Sequence, residues 1–176
     1  NGTGLKGHKS STQGAVIVPK PGDPDNYYII TISGVTDDGI NLVTRKGLFY
    51  NEVDMALNGG LGGIIAGVKN IPLKDHYGIP IDEGYTVNEH IGNYSEKLTS
   101  TVHSNSVDYW IVTQIDRFIY SYKVTSSGIT LTPFTYSYTP NTVTNNENAG
   151  VGQMKISPDT QRIAIAYADG VYQPIQ

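Results

Sequence analysis

Short apolar runs, each bounded by turn-forming residues, dominate the pattern of hydrophobic and polar positions along this chain. Residues 15–18 are apolar and mostly β-branched, and they stop at a segment with three prolines, residues 19–26. Residues 27–32 follow, so the two runs predict a β-hairpin with a long tip. Residues 48–55 predict a third strand, and residues 67–73 predict a fourth.

The same order of strands then recurs further along the chain. The second set of four predicted strands comprises residues 97–103, 108–113, 117–124 and 131–136. A third set begins with two strands, residues 152–156 and 162–166, around the turn at residues 157–160. Recurrence of one strand pattern predicts a repeat architecture, in which each repeat is one supersecondary unit.

The spacing of these sets indicates where the repeat is regular. The interval from Asp108 to Gln161 is close to the roughly 40–50-residue period of propeller blades, whereas the interval from Asn26 to Asp108 is longer. The excess lies at residues 74–96, a polar stretch that holds two of the four histidines. We interpret it as an insertion or elaborated loop, a feature that often collects on the binding face of repeat folds.

The sequence therefore predicts an all-β fold: an incomplete β-propeller of about two to three four-stranded antiparallel blades. Residues 1–73 form one blade-like repeat, residues 97–140 form a second, and residues 150–176 begin a third. Helix is disfavoured, because residues 55–67 contain five glycines and each costs a helix interior roughly 1 kcal/mol relative to Ala. We expect at most one helical turn.

Composition and charge narrow the function classes. Of the 176 residues, 16% are charged, below the roughly 25% of typical domains, and 13 are tyrosines, which favour half-buried β surfaces.

The net charge is -4 without a Lys/Arg cluster, which argues against a nucleic-acid partner. The absence of cysteine excludes thiolate metal sites. No apolar run reaches the ~20 residues of a membrane span, and no cofactor motif is present.

Acidic residues supply the candidate catalytic and metal sites. Glu52 and Asp54 lie two apart on one face of a predicted strand and form a carboxylate pair that glycoside hydrolysis would need; the alternative is a solvent-facing edge pair. Asp37, Asp38 and Asn41 surround a glycine, as calcium ligands do, but without the spacing of a calcium hand, so a turn is the alternative.

The insertion offers a further set of metal-ligating side chains. These residues are Asp82, Glu83, Glu89 and His90. No His-x-x-x-His pair accompanies them, and a polar loop is the alternative. We therefore predict no metal and no cofactor for this chain.

Aromatic side chains supply the candidate binding residues. Trp110 and Tyr109 on a predicted strand, with Tyr85 and His90 in the insertion, would stack on or contact a sugar. The alternative for Trp110 is packing between blades, at which large aromatic residues excel. The same pattern of aromatic residues is therefore consistent with a sugar-binding role or a packing role for Trp110.

Several motifs resemble a conserved region of large surface proteins from Bacteroidetes-type bacteria. The stretches that carry the resemblance are residues 1–22, 27–29, 53–62, 108–113 and 152–159. In that family a propeller-like N-terminal region precedes adhesin modules and a gliding-motility-associated C-terminal domain that directs type 9 secretion. The resemblance implies an interior piece of a larger exported protein at the outer-membrane or extracellular surface.

These observations lead to a functional expectation with two alternatives. We expect a non-catalytic cell-surface interaction module that serves adhesion through glycan or protein binding. Its partners would include other segments or other chains that cover the exposed blade edges. The alternatives are a propeller glycoside hydrolase or polysaccharide lyase that uses carboxylates such as Asp54, and a structural spacer.

Overall fold

The computed structural model describes residues 3–9, 11–37, 42–82, 95–115, 118–138 and 150–167, which form antiparallel β-sheets. The first sheet has five strands: β1 (Ala15–Pro19), β2 (Asn26–Asp37), β3 (Leu42–Asp54), β4 (Gly63–Ile64) and β5 (Ile71–Pro72). β1 pairs with β2, β2 pairs with β3, and both short strands pair with β3. The predicted hairpin of β1 and β2 is confirmed.

The connection from β3 to β5 differs from the expected fourth strand at residues 67–73. Only Ile71–Pro72 pairs with β3, because the preceding residues form turns. Asn70 has a φ of 56°, and its backbone N–H donates to the side-chain oxygen of Asn51 at 2.7 Å. Before these turns lies α1 (Leu57–Gly60), a single turn whose Asn58 and Gly59 have positive φ angles. The expectation of at most one helical turn is met in the described residues.

The second sheet repeats the meander of the first. Its strands are β6 (Leu98–Val102), β7 (Tyr109–Ile115), β8 (Phe118–Thr125), β9 (Gly128–Ile129) and β10 (Thr135–Tyr138). They lie in the order β10-β8-β7-β6, with β9 also paired to β8. The third sheet is a hairpin of β11 (Gly152–Ile156) and β12 (Ile163–Tyr167). Each of the three predicted sets of strands is thus present as a separate antiparallel sheet.

The principal core lies between the first and second sheets. Alternation along β2 and β7 turns every second side chain toward it. Its buried members are Val18, Tyr28, Ile30, Ile32, Leu48, Leu73, Ile81, Leu98, Ile111, Ile115, Tyr120, Tyr122 and Val124. The opposite face of the second sheet carries Val112 and Gln114, which are also buried.

The segment predicted as an insertion begins inside this core. Ile81 is 1% exposed, and its backbone N–H donates to the carbonyl of Leu73 at 2.8 Å. The backbone N–H of Leu48 donates to the carbonyl of Ile81 at 2.9 Å. These hydrogen bonds attach residues 74–82 to the edge of β3. This stretch therefore forms a turn that packs against the first sheet.

The first strands of the three sheets are neighbours. β1 contacts β6, and β6 contacts β11. Gln13, two residues before β1, accepts hydrogen bonds from the backbone N–H groups of Met154 (2.6 Å) and Leu98 (3.4 Å). Its amide nitrogen donates to the carbonyl of Met154 at 2.9 Å. One side chain therefore connects the beginnings of all three sheets.

Candidate binding surface

A tight turn that begins at Asp75 places an aromatic side chain in solvent. The Asp75 carboxylate is fully buried and accepts hydrogen bonds from the backbone N–H groups of Tyr77 (2.9 Å) and Ile79 (2.8 Å). The backbone N–H of Asp75 also donates to the carbonyl of Ile79 at 2.9 Å. Tyr77 is nevertheless 71% exposed. The turn that carries this ring therefore has its backbone fixed at several points.

Behind Tyr77, aromatic rings continue into the protein. The ring centroid of His76 lies 4.0 Å from that of Tyr77 and 4.6 Å from that of Phe118. The His76 Nδ1 atom is 2.8 Å from the hydroxyl of Tyr120, which is 1% exposed. We call Tyr77, His76, Phe118 and Tyr120 the Tyr77 row. It runs from solvent to the core, so its exposed end has a buried support.

The two predicted binding aromatics of β7 face opposite ways. Tyr109 packs against the principal core, while Trp110 points to the other face of the second sheet, as alternation requires. The Trp110 ring lies 5.2 Å from His103 and 5.5 Å from Phe134, measured between centroids. Phe134 is 65% exposed. The structure therefore brings Trp110 together with residues that the sequence did not indicate, and separates it from Tyr109.

Next to Trp110, the turn between β6 and β7 is held by its own polar side chains. The Asn105 side-chain oxygen accepts hydrogen bonds from the backbone N–H groups of Val107 and Asp108. The Asn105 amide donates to the Asp108 carboxylate at 2.9 Å, and Lys123 Nζ lies 3.2 Å from the same carboxylate. These bonds, chiefly that from Asn105, lower the pKa of Asp108. The Asp108 carboxylate of this turn is therefore bonded to side chains of the same sheet.

Both carboxylates of the candidate catalytic pair are engaged within the chain. Glu52 Oε1 lies 2.7 Å from Lys20 Nζ, and Asp54 accepts a hydrogen bond from the backbone N–H of Ala56 at 2.7 Å. Burial, with a smaller contribution from Glu52, raises the pKa of Tyr28 to about 12 and also raises the pKa of Tyr50. Glu52 therefore lies in a structural ion pair beside two protonated phenols, and Asp54 closes a turn.

Several other predicted residues cannot be placed at a site. Asp37 is the last residue of β2. The remaining candidates lie outside the described residues: Asp38, Asn41, Glu83, Tyr85, Glu89 and His90. Within the described ranges, no three His, Asp or Glu side chains are grouped so that they would hold a metal ion. No helix in those same ranges is long and apolar enough to cross a membrane.

A buried polar junction, which the sequence did not indicate, lies beside Gln13. Lys97 is fully buried and Glu96 is 2% exposed. Lys97 Nζ lies 4.6 Å above the ring of Tyr167 in β12, and Glu96 accepts a hydrogen bond from the backbone N–H of Thr12 at 2.9 Å. Burial lowers the pKa of Lys97 to about 7, although Glu96 acts in the opposite direction. This junction attaches the third sheet to the second.

Comparison with known proteins adds no relative to this picture. No protein-family model, no curated protein and no solved structure matches the chain. Among the surfaces of the described residues, the Tyr77 row combines the high exposure of Tyr77 with a turn whose backbone is fixed by the buried Asp75 carboxylate.

Proposed function

We propose that this chain is a non-catalytic interaction module of the propeller type, which binds a glycan through the Tyr77 row. The order of the sheets supports the propeller part of the proposal. Two successive meanders and a hairpin place their first strands side by side, β1 against β6 and β6 against β11. Propeller blades are arranged in this way, because their first strands surround a common axis.

The observation that carries the binding proposal is the exposure of Tyr77 on a fixed turn. A tyrosine ring contributes a large contact area at a low cost in conformational entropy, since it has only two side-chain torsions. Here the backbone cost is also low, because the buried Asp75 already holds the N–H groups of Tyr77 and Ile79. Pre-organised aromatic side chains of this kind dominate the energetics of recognition surfaces.

The charge distribution favours a neutral glycan as the ligand. The turn at residues 74–82 has two acidic residues, Asp75 and Asp82; the Asp75 carboxylate is fully buried, and Asp82 is half-buried at the far end of the turn. The exposed side chains of the turn are Tyr77, Ile79 and Pro80, which offer a ring face, a phenolic hydroxyl and apolar surface without a charge. A ring face covers the apolar side of a sugar, while the hydroxyl is a hydrogen-bond donor and acceptor.

The state of Glu52 and Asp54 favours binding without turnover. Glycosidases need one carboxyl group to donate a proton and a second to act as base or nucleophile. Glu52 is paired with Lys20, and Asp54 is bonded to the backbone of Ala56. Neither carboxylate lies in the Tyr77 row. A surface location, with adhesion as the biological role, rests on the family resemblance of residues 1–22 and 152–159.

The test is a calorimetric titration of the chain with a panel of neutral hexose oligosaccharides, followed by product analysis. We expect saturable binding, a loss of about tenfold or more in affinity for Tyr77→Ala, and a smaller loss for Tyr77→Phe. Phe134→Ala is the matched control, because Phe134 is 65% exposed but lies outside the Tyr77 row. Absence of binding across the panel, or cleavage of any oligosaccharide, would overturn the proposal.

A further inference from the structure

We propose that Asn58 is a site of spontaneous covalent modification, at which the side chain cyclises onto the backbone nitrogen of Gly59 and yields aspartate and isoaspartate. Asn58 lies in α1, the exposed turn between β3 and β4. Among the asparagines of the described residues, it alone is followed by a glycine. The inference does not depend on glycan binding at the Tyr77 row.

The reaction needs only the chain itself and water. The nitrogen of Gly59 attacks the Cγ atom of Asn58 and loses its proton to solvent, while the side-chain nitrogen leaves as ammonia. This step forms a cyclic succinimide. Water then adds to either carbonyl carbon of the ring, which opens to aspartate or to isoaspartate, whose peptide bond runs through the side-chain carboxyl group. Glycine favours the attack because it has no Cβ atom beside its nitrogen and rotates freely about φ.

The turn can change conformation at low cost. Asn58 and Gly59 have positive φ angles, 54° and 70°, and no residue of α1 is buried. A Cβ atom at Gly59 or Gly60 would meet nothing within 4 Å, so the space beside the turn is open. The hydrogen bond from the Asn58 amide to the carbonyl of Gly62 is exposed to solvent, so water replaces it readily. Segments of this kind open locally without global unfolding, which gives the Gly59 nitrogen access to the Asn58 side chain.

The other described asparagines precede residues larger than glycine, and two of them are held by specific hydrogen bonds. Asn51 is fully buried in β3, and its side-chain oxygen accepts from the backbone N–H of Asn70 at 2.7 Å. The Asn70 side chain accepts from the backbone N–H of Lys6 at 2.8 Å and donates to the carbonyl of Gly4 at 3.0 Å. Cyclisation at these two positions would have to break packed structure, so we expect them to stay intact.

Modification would change the turn in two ways. A carboxylate has no hydrogen to donate, so the bond from residue 58 to the carbonyl of Gly62 is lost. Residues 55–68 also carry no charged side chain, and the product adds a negative charge beside Leu57 and Leu61, both of which are exposed. The modified turn is therefore released from Gly62 and is no longer neutral.

The experiment is peptide mapping by mass spectrometry after prolonged incubation of the full chain at neutral pH. Trypsin cleavage after Lys46 and Lys69 releases Asn51 and Asn58 in one peptide, which makes Asn51 the internal control. We expect the mass increase of an amide converted to an acid at Asn58, with isoaspartate detected by enzymatic methylation. Because the turn opens locally, the rate at Asn58 should lie within about tenfold of the rate in the isolated peptide of residues 47–69.

Two variants separate cyclisation from other causes of the mass change. Asn58→Gln keeps the amide on a longer side chain and should abolish the change. Gly59→Ala places a Cβ atom beside the attacking nitrogen and should slow the reaction about tenfold, although strain at the positive φ favours opening of the turn. A chain whose Asn58 stays intact while the isolated peptide is modified would overturn the proposal. Equal modification of Asn51 and Asn58, or an unchanged rate in Gly59→Ala, would overturn it as well.

Discussion

The side-chain amide of Gln13 hydrogen-bonds to both backbone groups of Met154, on the edge of β11 that does not pair with β12. Its oxygen accepts from the Met154 N–H at 2.6 Å, and its nitrogen donates to the Met154 carbonyl at 2.9 Å. The two residues are 141 positions apart in sequence. Because Met154 is fully buried, its backbone groups have no water to bond with if Gln13 is removed.

Gln13→Ala should detach the third sheet before the rest of the protein unfolds. Loss of two hydrogen bonds to a buried strand costs about 1–3 kcal/mol, since the Met154 groups then lack partners. Amide hydrogen exchange is the measurement, and we expect faster exchange at Met154 and little change in β2. Gln153→Ala, at an exposed neighbouring position of β11, should leave the protection of Met154 unchanged. Equal loss in both variants would contradict the role of Gln13.

Gly152→Ala should destabilise the protein more than the same substitution at a glycine with open space around it. The φ angle of Gly152 is 140°, and a Cβ atom there would overlap the carbonyl oxygen of Ala166 in the paired strand. We expect a loss of about 2 kcal/mol or more in unfolding free energy by urea denaturation. Gly67→Ala is the control, because its φ of 83° is also positive but a Cβ there meets nothing within 4 Å. A similar loss in both variants would show that strain alone, without the overlap, sets the cost.

Lys97 should make stability depend on pH in the alkaline range. Burial lowers its pKa in the folded state from 10.5 to about 7, so the unfolded chain binds more protons between these values and stability rises as pH increases through them. The contribution present above pH 10.5 is lost as pH falls to about 7. Each unit of pKa shift corresponds to about 1.4 kcal/mol.

Lys97→Met tests this pH dependence. We expect the slope of unfolding free energy against pH between pH 7 and pH 10.5 to flatten, with higher stability than wild type at neutral pH. Urea denaturation at a series of pH values measures it. Lys155→Met, an exposed lysine on β11, should retain the wild-type slope. A slope that survives in Lys97→Met would contradict the assignment.

The positions of the strands were predictable from sequence, because each depends on local alternation. β1, β2, β6, β7, β8, β11 and β12 lie where the apolar runs predicted them. The two-residue strands β4 and β9 were not predictable, since they are too short to show a period. Their pairing depends on the neighbouring strands β3 and β8.

The residues of the candidate site were harder to predict from the sequence than the strands. The insertion was predicted as a binding segment, but Tyr77 was not named, because exposure depends on the buried Asp75 that holds its turn. The junction at Lys97 was also missed. A lysine in a polar run predicts solvent exposure, and its burial arises from contact with β12, far along the chain. Trp110 admitted two interpretations, sugar binding and packing between blades; in the structure its ring lies against His103 and Phe134 of the second sheet.

Side-chain NMR of the Tyr77 row, recorded with the tightest-binding neutral oligosaccharide, tests the central claim most directly. We predict that aromatic resonances of Tyr77, His76 and Phe118 shift on titration and saturate at the calorimetric affinity, while those of Trp110 and Tyr28 remain in place and the oligosaccharide stays intact. Shifts centred on Tyr28 and Tyr50 beside Glu52, or hydrolysis of the oligosaccharide during the titration, would contradict a non-catalytic glycan site at the Tyr77 row.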